Sequence, residues 1–204
     1  MQYGCGYMSN PEGWINFDAS PTLFLQRVPI LRIFTCRYLK PRFPDNVFFG
    51  DILHNLPIEK ESCKGIYCSH VLEHLSLEDF RTALKNTYDY LAPKGIFRLV
   101  MPDLDSFIQQ YVTSNNPDAS IYFMKASLLG TTKRERSLSA FLRSYLGNSH
   151  HLWLWSYESA KSELEKVGFS EIRRAQFGDS RDPKFIEIED ESRWKDCLGI
   201  ECQK

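Results

Sequence analysis

The stretch Ile66-Tyr67-Cys68-Ser69-His70-Val71-Leu72-Glu73-His74-Leu75 decides the fold. It begins as a short apolar run, passes through a polar turn and leads into a helical pattern. A buried strand that continues directly into a helix is typical of a parallel sheet covered on both faces. Ser69 and His70 then fall at the carboxyl end of the strand, where open α/β sheets bind ligands.

Two helices are predicted from their capping residues. The first begins after Ser76, has Asp79 in its first turn, where a negative charge is favourable, and ends before Pro93. The second begins after Ser156 and ends at Gly168. Apolar residues recur in both at helical spacing: Leu77, Phe80, Leu84, Tyr88 and Leu91 in the first, and Ala160, Leu164 and Val167 in the second.

Short β-rich runs bounded by Gly, Pro, Asp or Ser predict the remaining strands: Trp14–Ala19, Val47–Asp51, Gly65–Val71, Gly95–Met101, Glu171–Phe177 and Cys197–Gln203. A very short strand is expected at Met1-Gln2-Tyr3, part of 21–40 is expected to be helical, and two helices are predicted at Asp105–Val112 and Ile121–Leu129. The pattern predicts an α/β fold, a Rossmann-like seven-stranded, mostly parallel sheet with helices on both faces. Residues 1–204 form one domain in this prediction, with a helical lid at about 103–150.

Composition narrows the class of protein. The chain has 204 residues, 43% of them hydrophobic, which suits one globular domain. A formal net charge of −1 argues against a broad cationic surface for nucleic acid. The most apolar segment, 23–34, is interrupted by polar residues and proline, and the first residues do not resemble a signal peptide. The sequence therefore predicts a cytoplasmic protein with no membrane or nucleic-acid partner.

The six cysteines do not indicate a metal site. Cys63 and Cys68 are five positions apart, as are Cys197 and Cys202, and no CxxC pair accompanies them. In apolar runs a free thiol behaves as a small hydrophobe. The prediction is structural free cysteines and no bound metal.

Polar residues follow several of the predicted strands. The glycines of Gly4-Cys5-Gly6 permit a sharp turn and close approach to a ligand. Asp18 ends the second strand, where a carboxylate can accept hydrogen bonds from a ribose diol; the alternative is that it caps the next helix. Asp51 and Ile52 end the third strand, where they could meet an adenine ring or form an ordinary loop.

A polar corner follows the fourth strand. His70, Glu73 and His74 lie close together in sequence at a strand–helix junction. A single histidine is more often a structural hydrogen-bonding residue, but three polar groups at one corner favour a site.

Four motifs together resemble the class I S-adenosylmethionine-dependent methyltransferases. They are a GCG turn at Gly4–Gly6, GW-x-N-x-D at Gly13–Asp18, S-x-VLEHL at Ser69–Leu75 and L-x-P-x-G-x-x-R-L-x-x-PD at Leu91–Asp103. The resemblance covers nearly the whole chain. Two departures are evident: residues 7–13 leave no room for the usual helix after the glycine turn, and the expected P-G-G is Pro-Lys-Gly at 93–95.

The resemblance implies S-adenosyl-L-methionine as cofactor and assigns residues to it. Gly4, Cys5 and Gly6 would flank its methionine portion, Asp18 would hold the ribose, Asp51 and Ile52 would frame the adenine, and Ser69 and His70 would line the pocket floor. It also places a His-x-Trp segment, here beginning at His151, near the site from above. The alternative for that segment is aromatic packing beneath the last helix.

The expected function is methyl transfer to a small-molecule or saccharide acceptor. His70 and His151 are the candidate catalytic bases, because imidazole titrates near neutral pH. A second hypothesis is a non-catalytic methyltransferase-like scaffold, which the missing helix favours. A nicotinamide-dependent oxidoreductase is weaker, because the third glycine of the dinucleotide fingerprint is absent.

Overall fold

The structure is a computed structural model that describes residues 1–7, 11, 13–28, 42–132 and 150–204. The predicted helical continuation over 29–40 and the part of the predicted lid over 133–149 lie outside the described residues.

Seven strands of the described residues form one sheet: Gln2–Tyr3 (β1), Asn16–Asp18 (β2), Val47–Phe49 (β3), Cys63–Ser69 (β4), Leu91–Pro102 (β5), Ser170–Ala175 (β6) and Cys197–Gln203 (β7). Their order is β3-β2-β1-β4-β5-β7-β6, and β7 runs antiparallel to both of its neighbours while the other pairs are parallel. The predicted fold class is confirmed. The strand order reverses between β1 and β4, and ligands bind at the carboxyl ends of strands beside such a reversal.

Helices occupy Pro21–Arg27 (α1), Leu77–Tyr90 (α2), Leu104–Thr113 (α3), Ala119–Ala126 (α4) and Tyr157–Val167 (α5). The predicted caps are confirmed: Ser76 accepts from Asp79 N, and Ser156 forms a reciprocal capping box with Ser159. Gly168 ends α5 with a φ of 115°, a conformation that favours glycine. None of the described helices is long and apolar enough to cross a membrane.

Two strands, β4 and β5, differ most from their predicted bounds. Strand β4 begins at Cys63 and ends at Ser69, because His70 adopts a φ of 54° and turns the chain out of the sheet. Strand β5 begins at Leu91 rather than Gly95, since Leu91 already pairs with Cys63 across a register shift. Lys94, at the second position of the expected P-G-G, has a φ of 64°. The chain therefore keeps the left-handed conformation expected of a glycine at this position, although lysine adopts that conformation less easily.

The two faces of the sheet are covered differently. Alternate side chains of β4 enter two clusters, Ile66 and Cys68 in one and Tyr67 in the other. The first face packs against α2 and α5, whose core residues include Phe80 and Leu164. The second face is covered by α1 and by the segment 178–196. This segment connects β6 to β7 and buries Phe185, Ile188 and Trp194. This irregular segment also reaches the carboxyl end of β4.

Candidate functional site

The glycine turn is hydrogen-bonded to the tip of β2. Gly6 N donates to Asp18 Oδ2 at 2.8 Å, and Ser20 N donates to Asp18 Oδ1 at 2.8 Å. The cap of α1 is Ser20, whose hydroxyl accepts from Thr22 N, so Asp18 does not cap this helix. A carboxylate has about four lone-pair sites, and two backbone donors leave room for further hydroxyl donors.

The turn after β1 packs directly on the turn after β4. A Cβ at Gly4 would lie 2.0 Å from Val71 Cγ2, so no larger residue fits there without movement. At Gly6, φ is 60° and a Cβ would have no heavy atom of the described residues within 4 Å of it. With respect to the described residues, the space over Gly6 is therefore open, beside the reversal in strand order.

The other residues predicted to hold the cofactor are engaged in contacts of their own. Asp51 accepts from Leu53 N at 2.9 Å and lies 3.2 Å from His54 Nδ1, which fixes the loop after β3. Ile52 is 4% exposed and belongs to the hydrophobic core. Cys5 is buried in a third apolar cluster beside α1 and β3.

Arg193 covers the predicted pocket floor. Its guanidinium donates to Ser69 Oγ and to the Ser69 carbonyl, both at 2.9 Å. The Arg193 carbonyl accepts from His70 Nε2 at 2.9 Å. Sequence reasoning did not identify Arg193, because it lies in an irregular segment far along the chain and no motif accompanies it.

His70 is held by polar groups on both sides of its ring. Nδ1 lies 3.3 Å from Glu73 Oε1, and Nε2 lies 3.8 Å from Cys197 Sγ. Burial by itself lowers the pKa of His70, but Cys197, Glu73 and the Arg193 carbonyl outweigh it and raise that pKa to about 10. His70 is consequently protonated at neutral pH and acts as a hydrogen-bond donor there.

Glu73 lies at the centre of the polar corner, surrounded by imidazoles. Its side chain is 1% exposed, and Oε1 lies 4.0 Å from His74 Nε2 and 3.9 Å from His151 Nε2. Neither carboxylate oxygen has a hydrogen-bond partner of acceptable geometry among the described residues. The two imidazoles meet edge-on, with ring centroids 4.9 Å apart. Burial lowers the pKa of His151, so this imidazole is neutral at neutral pH.

The segment 150–155 brings His151 to this corner. Leu152 N and Trp153 N both donate to the Glu73 carbonyl, at 2.8 and 3.1 Å, and Trp155 forms a parallel bridge with Asp103 after β5. Trp155 is buried and stacks on Phe80 with ring centroids 4.0 Å apart. Trp155 therefore packs against α2, and His151 lies beside Glu73 at the polar corner.

Comparison with known proteins gives one family match. The family described as a methyltransferase domain matches residues 9–173, which is most of the chain. None of the curated proteins matches the sequence significantly.

Several solved structures are similar in shape at low sequence identity. A methyltransferase of Thermotoga maritima, described as a possible histamine N-methyltransferase, is 18% identical with a TM-score of 0.46 over 78% of this chain and 63% of its own. A methyltransferase of Archaeoglobus fulgidus is 17% identical with a TM-score of 0.46, over 92% and 74% of the two chains. PigF, solved with SAH, is 18% identical with a TM-score of 0.49, over 100% and 49%. The chain thus spans less than two thirds of the first of these proteins.

Proposed function

The chain belongs to the methyltransferase-domain family of class I S-adenosylmethionine-dependent enzymes, and from this premise we propose that it methylates a small-molecule or saccharide acceptor. The observation that carries the proposal is the hydrogen bond from Gly6 to Asp18 beside the reversal in strand order. It joins a glycine turn, over which the described residues leave open space, to a carboxylate that has acceptor capacity left.

The residues after the first four strands suit the parts of S-adenosylmethionine. The backbone of Gly4 to Gly6 would face its methionine portion, and Asp18 would accept from its ribose hydroxyls. Asp51 would accept from the adenine, with Ile52 forming the wall behind the loop, and Ser69 and His70 would border the floor. When bound, the cofactor supplies a methyl group already activated on a sulfonium. The protein then has to align the acceptor and exclude water.

We assign recognition of the methyl acceptor to His70 and His151. A protonated His70 would contribute a positive charge beside the acceptor, whereas a neutral His151 offers a lone pair to the acceptor's proton. Aromatic side chains support a flat or saccharide acceptor: Trp153 is 41% exposed beside the polar corner. A cleft of about 210 Å³ between α3 and α4 is lined by Tyr111, Tyr122 and Phe123 among others.

Calorimetry with S-adenosylhomocysteine on the untagged full chain tests the proposal. We expect binding of one molecule per chain, weakened at least tenfold in Gly6→Ala, because the new methyl group occupies the open space over the turn. Gly178→Ala is the matched control: Gly178 has a φ of 75°, so it carries comparable backbone strain away from the site. Absence of heat from the unaltered chain at several hundred micromolar would refute cofactor binding.

A non-catalytic scaffold is the second candidate, and Arg193 is the observation that favours it. Its two hydrogen bonds to Ser69 occupy polar groups that the first proposal gives to the cofactor site. In a scaffold, Arg193→Ala would open the floor and strengthen binding of S-adenosylhomocysteine. In an enzyme, Arg193 positions Ser69 and His70, and the same substitution weakens binding.

A further inference from the structure

We propose that Glu73, His74 and His151 bind a divalent transition-metal ion of the zinc or cobalt type. One ligand atom from each residue can be chosen so that all three atoms lie within 4.8 Å of one another. Two imidazole nitrogens and one carboxylate oxygen form a donor set that suits these ions.

The first argument is the state of Glu73. A buried carboxylate is normally stabilised by several hydrogen bonds or by a close cation. Glu73 is 1% exposed and accepts no hydrogen bond of acceptable geometry from the described residues. The protonated His70 approaches Oε1 from one side, with Nδ1 at 3.3 Å, while Oε2 has no partner of acceptable geometry among the described residues. A metal ion on the side of His74 and His151 would complete the surroundings of this carboxylate.

The second argument is the orientation of the two other imidazoles. His74 Nδ1 lies 3.0 Å from the His150 carbonyl, and His151 Nδ1 lies 2.8 Å from the Ser127 carbonyl. A carbonyl only accepts, so each Nδ1 carries a proton, and in the neutral form of each ring Nε2 is the nitrogen with the lone pair. Metal-binding histidines are held in this way by a backbone carbonyl behind the ring. Both lone pairs lie on the Glu73 side of the rings.

The third argument is distance. Nε2 of His74 and of His151 lie 4.0 and 3.9 Å from Glu73 Oε1. These separations are too long for hydrogen bonds. A tetrahedral ion holds ligands at about 2.0–2.2 Å and so places them roughly 3.4 Å apart, which means that side-chain rotations of about half an ångström would bring the three atoms around one ion. Three protein ligands leave further coordination positions free, as in catalytic rather than structural zinc sites.

The cysteine spacings predicted no metal site. That prediction considered pairs close in sequence, whereas His151 joins Glu73 and His74 only through the segment 150–155. The role of the ion in catalysis rests on the proposed function: it would bind an acceptor oxygen and lower its pKa. In that arrangement the Nε2 lone pair of His151 serves the ion rather than a proton.

The experiment uses the untagged full chain, freed of metal with a chelator and titrated with Co²⁺ followed by visible absorption, then with Zn²⁺ in competition. We expect one ion per chain, with affinity lowered at least about 100-fold in Glu73→Gln and in His151→Asn. His150→Asn is the matched control, since His150 neighbours His151 but its ring faces the Leu128 carbonyl and not Glu73. It should bind as the unaltered chain does.

Thermal unfolding in chelator establishes that the variants are folded. Zn²⁺ should then raise the Tm of the unaltered chain and of His150→Asn, but not of Glu73→Gln. Equal Co²⁺ affinity in all variants, or less than about one tenth of an ion per chain, would overturn the site. Because no methyl donor is present, this result is independent of cofactor binding.

Discussion

Two buried charged groups of this protein, Arg98 and Glu73, have opposite surroundings. Arg98 is fully buried on β5 and donates to Asp179 and Glu201, both at 3.1 Å, to Glu189, and to the Gln176 carbonyl at 2.6 Å. Its guanidinium also lies 4.6 Å from the ring centroid of Trp194. Glu73 is equally buried, yet accepts no hydrogen bond of acceptable geometry in the described part of the chain.

This difference distinguishes a buried charged group with a structural role from one that belongs to a candidate binding site. The Arg98 cluster joins β5 and β7 to the segment 178–196 and is internally compensated, so no ligand is needed to explain it. At the polar corner, the Glu73 carboxylate has only long contacts to His74 and His151, whose Nε2 atoms are the ones nearest to it. A buried charge is thus informative for function when its partners are incomplete.

The largest expected effect is a loss of stability when the Arg98 cluster is disrupted. Arg98→Met leaves Glu189 buried without its cation and leaves Glu201 with Arg173 as its close partner, so we expect the free energy of unfolding to fall by about 3–5 kcal/mol. Urea unfolding at pH 7 measures it. Arg174→Met is the control, because the Arg174 side chain is 53% exposed and its ion pairs are expected to contribute less than about 1 kcal/mol. A loss for Arg98→Met as small as in the control would remove the contrast between the two regions.

Asp18 is an intermediate case, a half-buried carboxylate with two backbone donors and acceptor capacity left. Asp18→Asn should weaken binding of S-adenosylhomocysteine about 10- to 100-fold, since hydrogen bonds to charged groups contribute about 1.5–3 kcal/mol. Calorimetry measures the change. Asp45→Asn is the control, because the Asp45 side chain is 93% exposed and lies before β3, at the other end of the strands. Unchanged affinity in Asp18→Asn would make Asp18 a purely structural residue of the glycine turn.

Glu163 is a compensated carboxylate between α2 and α5, buried beneath its two cationic partners. Arg81 and then Lys166 hold its pKa at about 2, and the Arg81 contact joins α2 to α5. Because the folded-state pKa is depressed, the stabilisation is present above about pH 4.5 and is lost as the pH falls toward 2. Glu163→Gln should therefore cost about 1 kcal/mol at pH 7, with the difference from the unaltered chain vanishing near pH 2. Unfolding curves across this range check it, and a pH-independent difference would contradict the ion-pair explanation.

The smallest expected effect is the change in stability when Glu73 is substituted. Glu73→Gln in metal-free protein removes attraction to His70 but also relieves an unsatisfied buried charge, so we expect a change in the free energy of unfolding below about 1 kcal/mol. Urea unfolding in chelator measures it beside Arg98→Met. A loss of several kcal/mol would show that Glu73 is as well compensated as Arg98.

The sequence by itself determined the elements whose signals are local. Ser76, Ser156 and Gly168 mark helix ends through hydrogen bonds to residues a few positions away. Apolar runs of about six residues between turn signals identify the strands. Parallel strands then bring the residues after them to one sheet edge, so the motif at 66–75 sufficed to place a polar corner there. The predicted start of β5 was wrong, because its pairing with β4 passes through a register shift.

Tertiary structure alone decided which partners each polar group has. Arg193 reaches Ser69, and His151 reaches Glu73, across long separations in the chain, through an irregular segment and a loop without periodicity. Whether a buried carboxylate is compensated depends on distances of a few tenths of an ångström between such distant residues. Local propensity determines where a strand or helix begins and ends, but it contains no information about those distances, and in this protein the proposed metal site depends on them.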